Sequence, residues 1–174
     1  MRKPALALVA AAVVAATGCG GSKQPRTEQK APPDSFPTSG CRRPPLMGVY
    51  SPDRLKLLNP CRAVAGTVRE PQKSPEDEDE TFNLSPDPPY VSMLNARNVE
   101  EGGIHVEIVP ADQAGCVKGQ PIEHPSVPGL GKCTGLHLKL PPAGAHVRVV
   151  GAYVLDISND WNEIHPTWKI TRLP

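Results

Sequence analysis

Aromatic side chains are scarce in this sequence. Only 2 Phe, 2 Trp and 3 Tyr occur in 174 residues, and 39% of the residues are hydrophobic. So small a supply of large apolar groups excludes a large self-sufficient core and favours a small domain that disulfides stiffen. The 22 prolines and 15 glycines also exclude a mainly helical protein, since both residues interrupt helices. We expect one modest domain with a tail.

The motifs that mark common enzymes and cofactor sites are missing as well. The sequence contains no Gly-rich phosphate loop, no GxSxG nucleophile elbow and no HExxH pair. Its cysteines are not arranged in the CxxC pairs of a structural zinc site. The residue pattern therefore predicts no cofactor, no catalytic residue and no metal ligand, and it leaves open whether the protein is an enzyme.

The first residues have the pattern of an export signal. Arg2 and Lys3 precede an apolar run over residues 5–16, and the letters AATGC end at Cys19. The apolar run is too short to remain as a membrane-spanning helix. Because AATGC resembles a bacterial lipobox, we expect residues 1–18 to be a lipoprotein signal peptide and Cys19 to carry the lipid. Ordinary cleavage that leaves Cys19 as a spare thiol is the alternative.

A proline-rich segment follows the signal. Residues 19–45 hold six prolines among polar residues, a composition typical of a disordered tether. Residues 46–174 are then expected to form the folded domain, outside the cytoplasm and anchored by lipid at the bacterial cell envelope. Loss of residues 1–18 leaves 17 basic and 18 acidic side chains, a formal charge of −1. A domain of this charge lacks the excess of basic residues that nucleic-acid binding requires.

Four cysteines lie beyond the signal, at Cys41, Cys61, Cys116 and Cys133. In an exported protein they predict two disulfides, for which three pairings are possible. We prefer Cys116–Cys133, which would close one Gly- and Pro-rich loop. The partner bond, Cys41–Cys61, would tie the chain before the domain to its first strand.

The strongest strand pattern lies in residues 145–170. Apolar residues alternate on both sides of Gly151, which predicts one strand bent by a bulge. A polar turn at residues 158–160 leads to a second apolar row that contains Ile164 and Trp168. Two long strands bent in this way predict a sheet that curls and closes.

Weaker patterns complete the fold, for which the sequence predicts a mainly β, small OB-fold-like barrel, closed or partly open, of five to six strands with one or two short helices. Residues 104–109 alternate most cleanly, which predicts that His105 and Glu107 face solvent. The Pro- and Gly-rich residues 110–144 predict a long loop clamped by a disulfide. The other predicted elements are short helices at residues 52–58 and 90–95, strands at residues 61–69 and 81–84, and at most one brief strand at residues 135–140.

Several segments carry a family resemblance: NPCRAVAGTV at residues 59–68, GIHVEIVP at 103–110, VRVVGAYVLD at 147–156 and WNEIHP at 161–166. Together they resemble an uncharacterised family of bacterial secreted or lipid-anchored proteins with an OB-fold-like domain and a C-terminal WxEIHP motif. The likeness covers residues 51–170 and implies fold and export, but no activity. Members often carry an Asp-Gly-Asp turn followed by a histidine where this chain has DEDETF.

Residues 76–80 form a run of five consecutive carboxylates. Such a run could bind a hard cation. However, it lacks the spaced glycine of a calcium loop and departs from the turn of the family. We therefore expect a solvated hairpin tip.

One group of residues has chemical content. Glu163 and His165 are two apart on a predicted strand, so their side chains leave the same face, and a hairpin would bring Asp156 near them. An acid, a base and an imidazole could ligate a metal or move protons. A structural interpretation is favoured, in which a carboxylate orients His165, since one histidine offers a metal a single nitrogen.

Two functions remain. The first is a non-catalytic binding or scaffolding module at the cell envelope, held at the membrane by its lipid anchor. Its partner would be an unknown envelope protein, glycan or small ligand, and no nucleic acid. The second is a metal-assisted hydrolase that uses Asp156, Glu163 and His165. The sequence favours the first, and an OB-like fold cannot choose between them because such folds host many functions.

Overall fold

The computed structural model describes residues 39–73, 77–122 and 131–174. The predicted signal peptide, Cys19 and most of the predicted tether lie outside these residues. Within these ranges an α-helix, α1, covers Ala96–Glu100, and 3-10 helices cover Pro52–Arg54, Pro88–Met93 and Pro110–Asp112. The strands are β1 at Leu55–Lys73, β2 at Glu80–Pro86, β3 at Ile104–Ile108, β4 at His146–Asp156 and β5 at Trp161–Arg172.

The five strands form one ring-like sheet in the order β1-β2-β3-β5-β4, with β4 paired back to β1. Neighbouring strands are antiparallel except β3 and β5, which run parallel. This parallel seam has only two registered pairs, His105 with Glu163 and Val106 with Ile164. The prediction of a mainly β, OB-fold-like sheet with short helices is confirmed.

Two glycines allow the long strands to bend and approach their neighbours. A Cβ atom on Gly66 would lie 2.2 Å from the backbone oxygen of Ser85, and one on Gly151 would lie 2.3 Å from the backbone oxygen of Pro166. No side chain fits at such distances. The register of β4 against β5 shifts on both sides of Gly151, which is the bulge that the sequence predicts there.

The strands are buried on both faces over much of the sheet. One core cluster draws on all five strands, with Val64, Phe82, Ile104, Val149 and Ile164 among its members. Burial of each such side chain contributes about 1.5–3 kcal/mol. A second cluster covers the opposite face of β4 and includes Val150, Ala152, Val154, Val109 and Trp168. The outer face of the sheet is therefore not simply solvated.

Two disulfides are present, Cys41–Cys61 and Cys116–Cys133, in the pairing that the sequence analysis prefers. The first joins residue 41 to β1, and the second closes part of the loop after β3. They indicate an oxidising environment outside the cytoplasm. Among the described residues, no helix has both the length and the apolar character needed to cross a membrane.

Some predicted elements differ from the structure. The predicted helix at residues 52–58 is a single 3-10 turn, because Leu55 already pairs with Asp156 and the chain continues as β1. The predicted strand at residues 135–140 is only an isolated bridge between Leu138 and Gln113. Helix α1 was not predicted, although Asn95 and Asn98 form a capping box at its start.

Candidate functional site

Buried polar side chains gather where β3 and β5 lie side by side. His105 and Glu107 alternate along β3, and Glu163 and His165 alternate along β5, opposite in face to the core residues Val106 and Ile164. Since His105 pairs in register with Glu163, all four side chains leave the same face of the parallel seam. All four are buried. The predicted solvent exposure of His105 and Glu107 is therefore wrong, because the sheet is covered on this face as well.

Asp79 joins this group from the turn that precedes β2. The turn is closed by an Asx contact in which Asp79 N–H donates to Asp77 Oδ1 at 3.2 Å. Glu78 adopts a left-handed conformation with φ of 62°, and its backbone oxygen accepts a hydrogen bond of 2.7 Å from Gln113 Nε2. Asp79 is 1% exposed. The solvated tip expected for this acidic run is thus wrong at both Asp77 and Asp79, since this turn directs their side chains inward.

His165 stands among three carboxylates. Its Nδ1 lies 3.2 Å from Glu163 Oε2 and 2.7 Å from Glu107 Oε2, and its Nε2 lies 3.4 Å from Asp79 Oδ2. Only the contact with Glu163 has hydrogen-bond geometry. The contacts with Glu107 and Asp79 are therefore electrostatic.

The neighbours of the cluster are themselves held in place. Trp161 Nε1 donates a hydrogen bond to Glu163 Oε1. His105 Nε2 lies 3.2 Å from Glu107 Oε1, and His105 Nδ1 donates to Asn83 Oδ1 at 2.8 Å. The rings of His105 and Trp161 stack with a centroid distance of 4.6 Å. One oxygen of Glu107 and both oxygens of Glu163 are thus positioned by neighbours.

Four buried polar atoms lack a hydrogen-bond partner within the described residues: both carboxylate oxygens of Asp79, Glu107 Oε2 and His165 Nε2. Buried polar atoms in folded proteins are nearly always hydrogen-bonded, because an unpartnered group loses its water and gains nothing. All four atoms belong to the one cluster. The protein therefore carries a concentrated set of electron-pair donors that its own hydrogen bonds do not satisfy.

The electrostatics of the cluster are strongly coupled. Burial raises the pKa of Asp79 to about 7, against the opposing effect of His165. Although burial raises the pKa of Glu107, the nearby imidazoles of His165 and His105 hold it well below its usual range. Burial lowers the pKa of His165, but Glu107, Asp79 and Glu163 together raise it well above its ordinary value.

Within the described part of the chain, two overlapping sets of residues have donor spacings that suit a metal ion. The first set is Asp79, Glu107 and His165, and the second is His105, Glu107 and Glu163. In each set, one possible ligand atom per residue lies within 4.8 Å of the other two. Carboxylate oxygens and imidazole nitrogens are the ligands of zinc and of related first-row metals. The cluster can therefore bind a cation, and it can hold protons at several sites.

The site predicted from the sequence is only partly assembled. Glu163 and His165 are in contact, as the alternation along β5 predicts. Asp156 instead pairs with Arg54 at 2.6 Å and accepts hydrogen bonds from the backbone N–H of Ser158 at 2.7 Å and from Asn159 Nδ2 at 2.8 Å. It therefore closes the turn between β4 and β5.

Arg54 links this turn to the cluster electrostatically. Burial lowers its pKa, but the charges of Asp156, Glu107, Glu163 and Asp77 raise it overall. Its ion pair is nevertheless made with Asp156 and not with a cluster carboxylate. Arg54 thus offsets some of the negative charge of the cluster from a distance.

Sequence reasoning missed Asp79, His105 and Glu107. One signal for them existed, since HVE in β3 and EIH in β5 each place an imidazole and a carboxylate two residues apart. Only the parallel pairing of the two strands brings these motifs together.

Comparisons with protein-family models, curated proteins and solved structures find no match to this chain.

Proposed function

We propose that the protein is a lipid-anchored binding module of the bacterial cell envelope, and that the ligand of its domain is a divalent cation. The observation that carries the proposal is the buried cluster of Asp79, Glu107 and His165. Four side-chain oxygen and nitrogen atoms of these residues have no hydrogen-bond partner in the described part of the chain. The lipid anchor would be Cys19, and two disulfides agree with a location outside the cytoplasm.

The negative charge of the cluster supports the binding of a cation. Asp79, Glu107 and Glu163 surround His165 at 2.7–3.4 Å, with each of these side chains less than a tenth exposed. Buried carboxylates are stable only when opposite charge or hydrogen bonds compensate for lost water. One imidazolium compensates for part of the negative charge of these carboxylates. A divalent cation would compensate for the rest and would engage the unsatisfied donors at the same time.

Burial also favours binding over catalysis. The ligand candidates are buried, whereas a hydrolase must expose its nucleophile and metal to a substrate. The alternative of a metal-assisted hydrolase that uses Asp156, Glu163 and His165 has weaker support, because Asp156 is engaged by Arg54 and by the turn of the hairpin. A non-catalytic module is therefore the function that the geometry supports best.

Cation binding to the folded protein tests the proposal directly. The exported, lipid-bearing protein would be purified in detergent, treated with a chelator and titrated separately with Mg²⁺, Ca²⁺, Mn²⁺ and Zn²⁺. Binding of one cation per chain should raise Tm, since a ligand at 100 times its Kd stabilises by about 2.7 kcal/mol. A protein that circular dichroism shows to be folded, yet that binds none of the four ions, would contradict the proposal.

A further inference from the structure

The two candidate sets of ligands share Glu107 but differ in how their donors are occupied. In the set of His105, Glu107 and Glu163, the nitrogens of His105 face Asn83 and Glu107, and the oxygens of Glu163 face Trp161 and His165. These donors already have partners. In the other set, the unpartnered atoms are those of Asp79, Glu107 Oε2 and His165 Nε2.

We propose that a zinc-type transition metal ion binds to the side chains of Asp79, Glu107 and His165, with Glu163 and His105 as positioning residues. This inference rests on the proposed function and specifies its ion and its ligands. The spacing of one donor atom per residue, within 4.8 Å, agrees with three ligands around a single ion. Three protein ligands leave at least one further coordination position on a four-coordinate zinc ion.

The contacts around the ligands match those of known metal sites. A metal-binding histidine usually donates its second ring N–H to a carboxylate, which fixes the tautomer and the ring orientation. His165 has this arrangement, because its Nδ1 donates to Glu163 Oε2 and leaves Nε2 for the ion. Glu163 is held in turn by Trp161. His105 holds the other oxygen of Glu107 and is itself held by Asn83.

The donor types select the class of ion. Calcium takes six to eight oxygen ligands, and magnesium keeps several water molecules in an octahedral shell. A buried site with one imidazole nitrogen and two carboxylates suits neither ion well. Imidazole nitrogen together with carboxylate is a common ligand combination for zinc and its first-row neighbours.

The ligands also come from three different parts of the ring. Asp79 precedes β2, Glu107 lies on β3 and His165 lies on β5. Between β3 and β5 the sheet has only two registered pairs. A bound ion therefore fastens the ring at this short parallel seam, and its binding should stabilise the whole domain.

Zinc titrations of full-length variants, read by competition with a chromophoric chelator, test the assignment. Asp79→Asn and His165→Gln should weaken Zn²⁺ binding by more than about 100-fold, since each removes a ligand. Loss of an outer partner typically costs about 10–100-fold in metal affinity, so Glu163→Gln and His105→Gln should fall in this range. Asp112→Asn and His146→Gln are matched controls, because these residues make their contacts elsewhere, and both should bind as the wild type does.

The Co²⁺ absorption spectrum separates ligands from positioning residues. Glu163→Gln and His105→Gln should retain the wild-type band pattern once saturated, because the ligands are unchanged. A variant that loses a ligand should not. If His105→Gln alters the bands while His165→Gln preserves both bands and affinity, the ion uses the other set of residues and the assignment is overturned.

Nitrogen-15 spectra of the histidine rings make the test independent of whether the ligand variants fold. In wild-type protein, added Zn²⁺ should shift the Nε2 resonance of His165 and leave its Nδ1 protonated. A shift at His105 instead would overturn the assignment. Saturable binding of Ca²⁺ or Mg²⁺ in preference to Zn²⁺ would overturn the ion class while leaving cation binding itself intact, and absence of binding by every ion would overturn both.

Discussion

His165 Nδ1 lies 3.2 Å from Glu163 Oε2, in a contact made between two residues of one strand that are separated by Ile164. Ile164 points to the opposite face and packs in the core cluster. The same short segment thus supplies the core on one side and the polar cluster on the other. His165 consequently cannot change without disturbing both the charges of the cluster and the seam that carries it.

Replacement of His165 should destabilise the metal-free protein strongly. His165→Gln removes the positive charge that faces Glu107, Glu163 and Asp79. Removal of one partner of a buried ion pair costs about 3–5 kcal/mol. Urea unfolding at pH 7 in the presence of a chelator measures the loss.

The matched change, Glu163→Gln, should lower the free energy of unfolding less than His165→Gln does. It removes one of the carboxylates whose negative charge His165 has to compensate. Since the two residues are in contact, the double variant should lose less than the sum of the single changes. Strict additivity, or an unchanged free energy of unfolding in His165→Gln, would contradict this account of the cluster.

At Glu78, glycine should give a more stable protein than alanine. Its φ of 62° is in the left-handed region, which costs a non-glycine residue about 1–2 kcal/mol. Glu78→Gly should therefore raise the free energy of unfolding relative to Glu78→Ala by roughly this amount. The alanine variant is the matched control, because both changes remove the same side-chain interactions and only glycine relieves the backbone. Equal stability of the two variants would show that the turn is not strained.

Asp79 should make the metal-free protein less stable as pH rises. Its pKa is raised to about 7 in the folded protein by burial, whereas an unfolded aspartate titrates near pH 3.9, roughly. The folded state therefore binds this proton more tightly. The stability that the proton confers is complete below the unfolded pKa and is lost as pH rises through the folded pKa.

Asp79→Asn tests this dependence, since asparagine resembles the protonated carboxyl. Without metal, the variant should match the wild type at acidic pH and exceed its stability above the folded pKa of Asp79. With saturating Zn²⁺ at the higher pH the order should reverse, because only the carboxylate binds the ion. Thermal unfolding across the pH range, with and without chelator, provides the measurement. A wild-type protein that stays the more stable without metal above that pKa would refute the prediction.

Asp156 should prove structural. It is fully buried and accepts hydrogen bonds from Arg54 and from the turn at Ser158 and Asn159. Hydrogen bonds to charged groups contribute about 1.5–3 kcal/mol each. Asp156→Asn should therefore lower the free energy of unfolding by roughly the contribution of one such bond. Zn²⁺ affinity, measured below the unfolding transition, should not change. Loss of metal affinity in a folded Asp156→Asn protein would instead support the hydrolase alternative.

Cys19 should determine membrane attachment. Lipid on this cysteine would supply the main membrane affinity of the exported protein. A Cys19→Ala protein should therefore move from the membrane fraction to the soluble extracytoplasmic fraction or remain unprocessed. Cell fractionation followed by mass spectrometry of the N-terminal peptide checks this outcome. Acylation found at another position, or a processed Cys19→Ala protein still bound to membranes, would contradict it.

The fold could be predicted from the sequence to a large extent because its determinants are local. Alternation along residues 145–170 predicts two long strands, and β4 and β5 lie there. Gly66 and Gly151 mark the bends because no other residue permits so close an approach of backbones. Four cysteines beyond the predicted signal allow only three pairings, and the preferred one is present.

The residues of the polar cluster come together only in the tertiary structure. Alternation along β3 correctly predicts that His105 and Glu107 share a face, but it carries no information on what covers that face. The parallel pairing of β3 with β5 joins segments distant in sequence, and the turn at Glu78 brings Asp79 to the same place. Local pattern determines which side chains point together along one strand, whereas burial and charge depend on which strands become neighbours.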